Sequence, residues 1–531
     1  MQRTIVQVSA ALCYGLLAVW SFGQPTGTVD WDHDHDPETI TLSPYTELTA
    51  TQDRLFDTIG FAAGYQSTFF QVFFDLALTN DGRYEPEEPY LLGHYFDLRQ
   101  GVIAVTAPPF LIQAGRAFHR DEVASPYSLF ISSHDISAPI VRIRYENRLF
   151  FYESRWIKLN QNSLWYRTPE LIYAYPGYPS SPPIFDPDRE DAPWTPLDDN
   201  PVWFRPLDRG ANYKVYGVRI GDWRFGFQES VVYLNQSFYP EYFFSPLPMY
   251  FTQLVNSTPG KPWTQRDDEN SHMGFFVERT GPESYAYLQF LMGDINLNFL
   301  TPDHDLSHPN KWAWSLGGTR DFDIGRIGVF HAGALKYTFA ATTATSQSYS
   351  TKRYEYTYFP AVHYLFDGGL RAIDYRDNYI GYQYGENNLA FMTTYDATLN
   401  GYRVAASLEY VISGSKSPAN PWHEERTWPG RLGDRRLFPL LDERPLEHTV
   451  RLETQIGRSV GPWEFSARAG IGAVFNELQL VPVPDRDDPS EDAEEPWIYR
   501  PSDRSRLLFS LALGARYRWR LPEGGALATT D

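Results

Sequence analysis

Cysteine, long apolar runs and positive charge are all scarce in this sequence of 531 residues. Cys13 is the only cysteine, so the rest of the chain can form no disulfide and no cysteine-ligated metal site. After Phe22 no apolar run approaches the ~18 residues that a membrane-spanning helix needs, and the mean hydropathy is −0.42. These features argue against a helical membrane protein. The formal net charge of −20 argues against binding to nucleic acid, whose backbone is also negative.

The first 23 residues have the three parts of a secretory signal. Arg3 supplies a positive charge, an apolar stretch covers residues 10–22, and Ser21-Phe22-Gly23 places small residues around a cleavage position. The apolar stretch is short for a membrane span, and a polar, acidic segment follows it directly. We therefore predict a signal peptide over residues 1–23, with a retained membrane anchor as the alternative. Cleavage after Gly23 would also remove Cys13.

Aromatic residues, in contrast, are abundant. The chain has 36 tyrosines, 35 phenylalanines and 15 tryptophans, which together make up 16% of it. Outer-membrane β-barrels place such residues in girdles at the two membrane interfaces. The aromatic content is therefore typical of an outer-membrane β-barrel. The second sequence feature of that fold is alternating polarity in segments of about ten residues separated by turns.

Alternating polarity is clearest near the C-terminus. Apolar residues alternate with small or cationic ones over residues 507–521, and the same pattern occurs on both sides of a tight turn at Gly461-Pro462. A soluble β-sandwich packs the apolar faces of its two sheets together and exposes the polar faces to solvent. Mid-strand charges such as Arg468 and Arg516 fit the water-filled lumen of a barrel better than they fit a sandwich. The pattern predicts an all-β, transmembrane antiparallel barrel of about 16–18 strands in a bacterial outer membrane. A soluble β-sandwich is the alternative.

Long polar inserts without periodicity separate several of the predicted strands. Because outer-membrane barrels have short periplasmic turns and long outer loops, we assign these inserts to the cell exterior. They cover residues 176–199, 238–269, 415–447 and 481–503.

The predicted barrel covers residues 59–521, and a C-terminal extension covers 522–531. A periplasmic tail over residues 24–58 precedes the barrel. Within this tail, Ser43 and Pro44 resemble the N-cap and first residue of a helix, so a short helix over 43–56 is one expectation and irregular structure is the other.

Catalytic motifs are missing from the sequence. It has no Gly-x-Ser-x-Gly elbow, no phosphate-binding glycine loop and no His-Glu-x-x-His motif, so we predict neither an enzyme nor a cofactor. An outer-membrane hydrolase with a site assembled across several strands is the alternative. Acidic stretches at residues 30–36, 186–191 and 485–495 could bind a cation, but none has the spacing of a calcium loop, and we expect them to be solvated.

Short motifs between about Gly101 and about Asp396 lie at residues 112–116 with 128–132, at 226–233, at 267–270 with 273–274, at 287–295 with 309–312, and at 380–385. In sequence and in order, these motifs resemble those of the Wzi-like capsule-assembly family of outer-membrane barrels. The Trp-Gly-Pro-Gly that the family has between the two halves of the first motif is missing here.

This resemblance implies an 18-stranded barrel that holds or organises surface polysaccharide as a lectin, with a helical N-terminal portion at the periplasmic mouth that only residues 43–56 could supply here. It also implies a set of ligand-binding residues. From the residues alone, acids and amides at strand ends either bind a ligand or tie turns together. The implied ligand-binding residues are Arg116, Glu229, Asp267, Asp268, Asn270, Asp294 and Asn310.

A porin or other outer-membrane channel is the main alternative function, since a barrel of this width can enclose an aqueous pore. The expected partners are outer-membrane lipids, surface polysaccharide and the barrel-assembly machinery, and nucleic acid is not among them.

Overall fold

A computed structural model describes much of the chain between residues 39 and 522. The predicted signal peptide, the C-terminal extension beyond residue 522, the three acidic stretches and the positions Asp267 and Asp268 lie outside the described residues. The described residues are 39–84, 86, 88–132, 136–159, 165–166, 183–185, 194–196, 203–204, 209–234, 236–258, 260–262, 269–294, 310–340, 356–359, 363–366, 369–417, 438–441, 443–482 and 497–522.

The wall of the molecule is a closed barrel of 18 antiparallel strands, as the alternating polarity predicts. Each strand pairs with the next one in the chain. The strands are β1 Thr39–Thr51, β2 Leu55–Gln66, β3 Phe70–Thr79, β4 Tyr95–Ala107, β5 Phe110–Ala117, β6 Ala138–Glu146, β7 Phe150–Lys158, β8 Arg209–Ile220, β9 Trp223–Leu234, β10 Glu269–Thr280, β11 Ser284–Asp294, β12 Lys311–Phe322, β13 Gly325–Ala334, β14 Asn388–Leu399, β15 Tyr402–Ser413, β16 Glu447–Val460, β17 Trp463–Phe475 and β18 Arg506–Tyr517.

Pairing between the first and last strands closes the barrel. The register runs from Tyr45↔Arg516 to Thr51↔Ser510, and the continuation of β18 at Trp519–Pro522 pairs with the start of β1. The ladder thus returns to its start and leaves no free sheet edge, which a membrane would not tolerate.

The connections between strands differ in length at the two ends of the barrel. One end, the short-turn end, has connections of two or three residues, and the other, the long-loop end, contains all four polar inserts. In outer-membrane barrels the short turns face the periplasm, so the long-loop end faces the cell exterior. The short turns are residues 67–69, 108–109, 147–149, 221–222, 281–283, 323–324, 400–401 and 461–462.

Side chains alternate between the two faces of the wall. On β18, Leu511 and Leu513 are exposed on the outside, whereas Ala512 and Gly514 are buried on the inside. The outer face is therefore an apolar surface of the kind that contacts lipid. No helix in the described part of the chain is long and apolar enough to cross a membrane.

The first strand corrects the expectation for residues 43–56. This segment is not a helix but most of β1 and the start of β2, so the barrel begins at Thr39 and not at residue 59. Tyr45 points inward, and its hydroxyl donates to Asp75 at 2.7 Å. Pro44 is tolerated because it lies between the two stretches of β1 that pair with β18 and with its continuation.

Within the described residues, three short helices lie in the connections at the long-loop end: α1 Pro240–Phe244, α2 Met249–Ser257 and α3 Tyr375–Asn378. Short hairpins also occur in these connections. They pair Trp165–Tyr166 with Trp203–Phe204, Pro183–Phe185 with Trp194–Pro196, His363–Phe366 with Gly369–Ala372, and Leu478–Pro482 with Trp497–Pro501.

Candidate functional site: a lumen plug and a mouth cleft

Two connections fold into the lumen and pack together there. We call residues 118–132, between β5 and β6, together with residues 356–359 and 373–387, between β13 and β14, the lumen plug. Its side chains share one apolar cluster with inward-facing residues of the wall, which places it inside the barrel. Plug residues that are fully or almost fully buried include Tyr127, Leu129, Phe130, Ile131, Tyr356, Ile380 and Tyr382.

Backbone groups join the two halves of the plug. The N–H of Ser132 donates to the carbonyl oxygen of Ile380 at 2.7 Å. The hydroxyl of Tyr358 donates to the carbonyl oxygen of Ser132 at 3.1 Å, and Tyr356 donates to that of Phe130. The sequence motifs at 128–132 and 380–385, which are far apart in the chain, therefore meet inside the barrel.

Ion pairs fix the plug to the wall close to the short-turn end. Glu122 of the plug lies between Arg144 of β6 and Arg224 of β9, at 2.6 Å from each guanidinium group. Glu122 is almost entirely buried. Because Arg144 and Arg224 each lie within three residues of the short-turn end of their strands, the plug reaches through most of the depth of the lumen.

The opposite side of the lumen is polar and less filled. On β16, Arg451 and Glu453 point inward and form a 2.5 Å ion pair, with 41% and 34% of their side chains exposed. Nearer the short-turn end, Arg518 and Glu464 form a second inward pair at 3.0 Å. Solvent-accessible charges thus line the wall beside the plug.

A cavity of about 530 Å³ opens above this polar side, at the long-loop end. We call it the mouth cleft. It lies between the plug, the wall strands β15–β18 and the turn that joins β1 to β2. Its lining residues are Thr51, Gln52, Asp53, Ala372, Ile373, Asp374, Tyr375, Arg376, Tyr384, Glu409, Glu447, Thr449, Arg451, Gly470, Ile471, Val474, Glu477, Leu478, Tyr499, Arg506, Leu508, Phe509 and Ser510.

Three arginines of the mouth cleft are half exposed, and each has a carboxylate partner. Arg376 pairs with Asp374 at 2.6 Å, Arg451 with Glu453 at 2.5 Å, and Arg506 with Glu477 at 2.5 Å. Such pairs hold donors and acceptors in fixed positions while leaving part of each guanidinium group free to bind a hydroxyl. The rings of Tyr375, Tyr384 and Tyr499 add flat aromatic surfaces to the lining.

Buried charges close to the mouth cleft have structural partners. Lys416 donates to the carbonyl oxygen of Glu386 at 2.7 Å, and the carboxylate of Glu386 accepts from the N–H of Ser417 at 2.8 Å. Burial lowers the pKa of the Lys416 ammonium and raises the pKa of the Glu386 carboxyl. These groups tie two loops together and do not line the mouth cleft.

The residues that the family resemblance singled out do not line the mouth cleft, as far as the structure describes them. Arg116 donates to the carbonyl oxygen of Ser137 at 2.8 Å, and Asn270 to that of Phe339 at 3.4 Å. Both acceptors are backbone carbonyl groups in loops.

Glu229 lies on the outer face of β9. Its carboxylate accepts the N–H of Met249 at 2.8 Å and that of Tyr250 at 3.2 Å, and so caps the first turn of α2. Asn310 is buried directly before β12, and Asp294 ends β11, where its backbone pairs with Lys311. A ligand-binding role for these residues stays a prediction.

The alternation before the turn at Gly461-Pro462 places Arg451 on the inner face of its strand, but it does not identify the mouth cleft. The cleft draws its three arginines from separate connections and strands, and nothing in their spacing brings them together. The described residues contain no group of three or more His, Cys, Asp or Glu side chains that could hold a metal ion.

No protein-family model matches the chain, and no curated protein matches it. Among solved structures, the chain is similar to Wzi of Escherichia coli, an outer-membrane protein involved in group 1 capsule assembly and a carbohydrate-binding β-barrel. The two sequences are 11% identical, the similarity covers 90% of this chain and 83% of that chain, and the TM-score is 0.44. It is also similar to OccD3 (OpdP) of Pseudomonas aeruginosa, with 11% identity, 93% of each chain covered and a TM-score of 0.40. OccAB4 of Acinetobacter baumannii is a third such structure, with 8% identity, 92% of this chain and 100% of that chain covered, and a TM-score of 0.39.

Proposed function

We propose that this outer-membrane barrel binds surface polysaccharide at its mouth cleft and does not act as an open diffusion pore. The observation that carries the proposal is the packing of the lumen: the plug is buried against the wall and pinned near the short-turn end by Glu122. An empty barrel of this size would leave a wide aqueous channel.

The lumen plug is built to stay in place. Removing it would expose its apolar side chains, among them Tyr127 and Phe130, and would break the ion pairs of Glu122 with Arg144 and Arg224. Breaking a buried ion pair by losing one partner costs about 3–5 kcal/mol. A segment held in this way fills the lumen permanently and does not act as a gate that opens readily by thermal motion.

The mouth cleft has the chemistry that polysaccharide recognition needs. Sugars present many hydroxyl groups and flat apolar ring faces, which call for directional polar groups beside aromatic rings. Paired arginines and carboxylates lie there beside three tyrosines, at the end of the barrel that faces the cell exterior. Ligand roles for Arg116, Glu229, Asp267, Asp268, Asn270, Asp294 and Asn310 rest on the family resemblance alone.

One observation favours a second candidate, a narrow channel for small charged solutes. The half-exposed pairs Arg451–Glu453 and Arg518–Glu464 lie at different heights on the polar side of the lumen. Water and small ions could move along such a row of charges even with the plug in place.

Conductance and polysaccharide binding, measured on the same purified protein, separate the two candidates. We expect planar bilayers to show no stable conductance steps of the size that an empty 18-strand barrel would give, and immobilised protein to retain polysaccharide extracted from the surface of the producing cells. Steady single-channel steps together with no retention of polysaccharide would refute the binding function and support the channel.

A further inference from the structure

The connection between β9 and β10 folds back against the outside of the barrel. On β9, Phe225, Glu229 and Val231 share the outer face, yet Phe225 is exposed and the other two are buried. The difference arises because residues 237–258, which contain α1 and α2 and which we call the helical lobe, cover the upper part of β7–β10. Val231 belongs to a separate apolar cluster with residues of the lobe.

Three polar side chains on the outer face of the wall have partners in the helical lobe. Ser154 of β7 donates to the carbonyl oxygen of Phe243 at 2.7 Å, and Lys214 of β8 donates to that of Leu247 at 3.2 Å. Glu229 of β9 caps α2. The lobe therefore satisfies groups that would otherwise face the membrane unpaired, at a cost of several kcal/mol each.

The exposed surface of α2 is apolar, which is the reverse of a helix on a soluble protein. Its polar residues Thr252 and Asn256 are buried, and Asn256 donates to the hydroxyl of Tyr239 within the lobe at 3.2 Å. The outward residues are instead Tyr250, Phe251, Leu254 and Val255, between 44% and 56% exposed, and Phe244 and Leu247 beside the helix are 67% and 58% exposed. A contiguous apolar patch of this kind marks contact with lipid or protein.

The helical lobe also lies where the lipid-facing band of the wall is incomplete. On β18 the outer apolar residues run along the strand from Leu507 to beyond Leu513. On β9 they run only from Trp223 to Phe227, because Glu229 follows on the same face. With about 2.5 Å of height per tilted residue, that run covers roughly 10 Å of a band that is about 25 Å tall in such barrels.

We propose that the helical lobe is embedded in the outer leaflet of the membrane, where the exposed face of α2 contacts lipid acyl chains. The lobe continues the lipid-facing surface of β7–β10 upward and shields Lys214 and Glu229 from the acyl chains. This inference is independent of the proposed function, since the mouth cleft lies on the opposite side of the barrel.

Spin labels on single cysteines test this placement in protein reconstituted into lipid vesicles, in a background with Cys13→Ala. The label at Leu254→Cys is compared with labels at Leu513→Cys, on the lipid-facing side of β18, and at Asp53→Cys, exposed in the turn between β1 and β2. Heat-modifiable migration on gels confirms that each variant is folded. We measure collision of each label with oxygen, which is enriched in acyl chains, and with a water-soluble nickel chelate.

We expect the ratio of oxygen to nickel accessibility at Leu254 to match that at Leu513 and to exceed that at Asp53 several-fold. A ratio like that at Asp53 would show that the lobe stands in water and would overturn the proposal. Low accessibility to both reagents, with broadening of the spectrum by a second label nearby, would also overturn it, because the face would then be an interface between two copies of the chain.

Discussion

Gly381 lies directly against the carbonyl oxygen of Leu129, so that a Cβ atom at position 381 would be 2.0 Å from that oxygen. Position 381 therefore admits no side chain unless the backbone of one plug segment moves. The contact joins the two halves of the lumen plug, beside the hydrogen bond between Ser132 and Ile380.

Gly381→Ala should loosen the lumen plug while leaving the barrel intact. Overpacking of this kind typically costs about 1–3 kcal/mol, and the strain falls on the plug because both contacting segments belong to it. We expect increased conductance in planar bilayers and normal heat-modifiable migration. Gly101→Ala is the control, because a Cβ there meets nothing within 4 Å. Equal conductance of the two variants and the parent would show that the plug does not depend on this contact.

Glu122→Gln should weaken the anchor of the plug. The substitution keeps the size of the side chain but removes the charge between Arg144 and Arg224, and loss of one partner in a buried ion pair costs about 3–5 kcal/mol. Asp321→Asn, in an exposed pair with Arg326, should leave the unfolding midpoint close to that of the parent protein. The measurement is urea-induced unfolding followed by gel migration. Equal midpoints for the two variants would contradict a role of Glu122 as the anchor.

Arg451→Ala and Arg506→Ala should weaken polysaccharide binding. A hydrogen bond from a charged group contributes about 1.5–3 kcal/mol, so each variant should bind roughly ten- to a hundredfold more weakly. Arg326→Ala is a matched control, because Arg326 also forms an exposed ion pair but lies at the short-turn end. Binding isotherms with purified polysaccharide give the affinities. Unchanged affinity in both cleft variants would place the ligand elsewhere.

Leu513→Arg should impair insertion or stability by about 2–4 kcal/mol, because it would put a charge on the lipid-facing side of β18. Thr49→Arg is the control. Thr49 lies at nearly the same height on the neighbouring strand, but it points into the lumen beside Glu47. The folded fraction on gels measures the difference. If both substitutions were tolerated equally, the assignment of faces on β18 would be wrong.

Alternating polarity predicted the closed barrel. The prediction was most reliable on β17 and β18, where apolar residues on one face alternate with small or polar residues on the other. The prediction was wrong for β1, because Ser43-Pro44 resembles the start of a helix and was given more weight than the alternating polarity of the segment. The pairing that makes β1 a strand, such as Tyr45 with Arg516, joins the two ends of the barrel. A pairing over that distance in the chain leaves no local signal in one sequence.

The mouth cleft could not be predicted, since Arg376 belongs to a connection that folds into the lumen and no local pattern shows that it meets Arg451 and Arg506 there. The helical lobe did leave a signal. In β9 the alternation places Glu229 on the same face as Phe225 and Phe227, which is the lipid face. A carboxylate on that face requires a cover, and the apolar residues of α2 follow in the next connection. The family resemblance implied a ligand-binding role for Glu229, and that interpretation does not account for a carboxylate on the lipid-facing side of β9.

Glu229→Ala should release the start of α2 from the barrel wall. The change removes an acceptor from two N–H groups, at about 1–3 kcal/mol, and it removes the negative charge opposite the buried Lys214. Glu229→Gln keeps one acceptor oxygen and should have a smaller effect. We expect faster proteolysis within the helical lobe, with little change for Glu88→Ala, an exposed control in another loop.

The same variant separates the two roles considered for Glu229. If the residue ties the helical lobe to the wall, Glu229→Ala loses protection of the lobe but keeps its affinity for polysaccharide, because the mouth cleft is on the far side of the barrel. If the residue binds the ligand, affinity falls while the lobe stays protected from protease. The contacts to Met249 and Tyr250 use both carboxylate oxygens, which leaves the carboxylate occupied by α2, so we expect the first outcome.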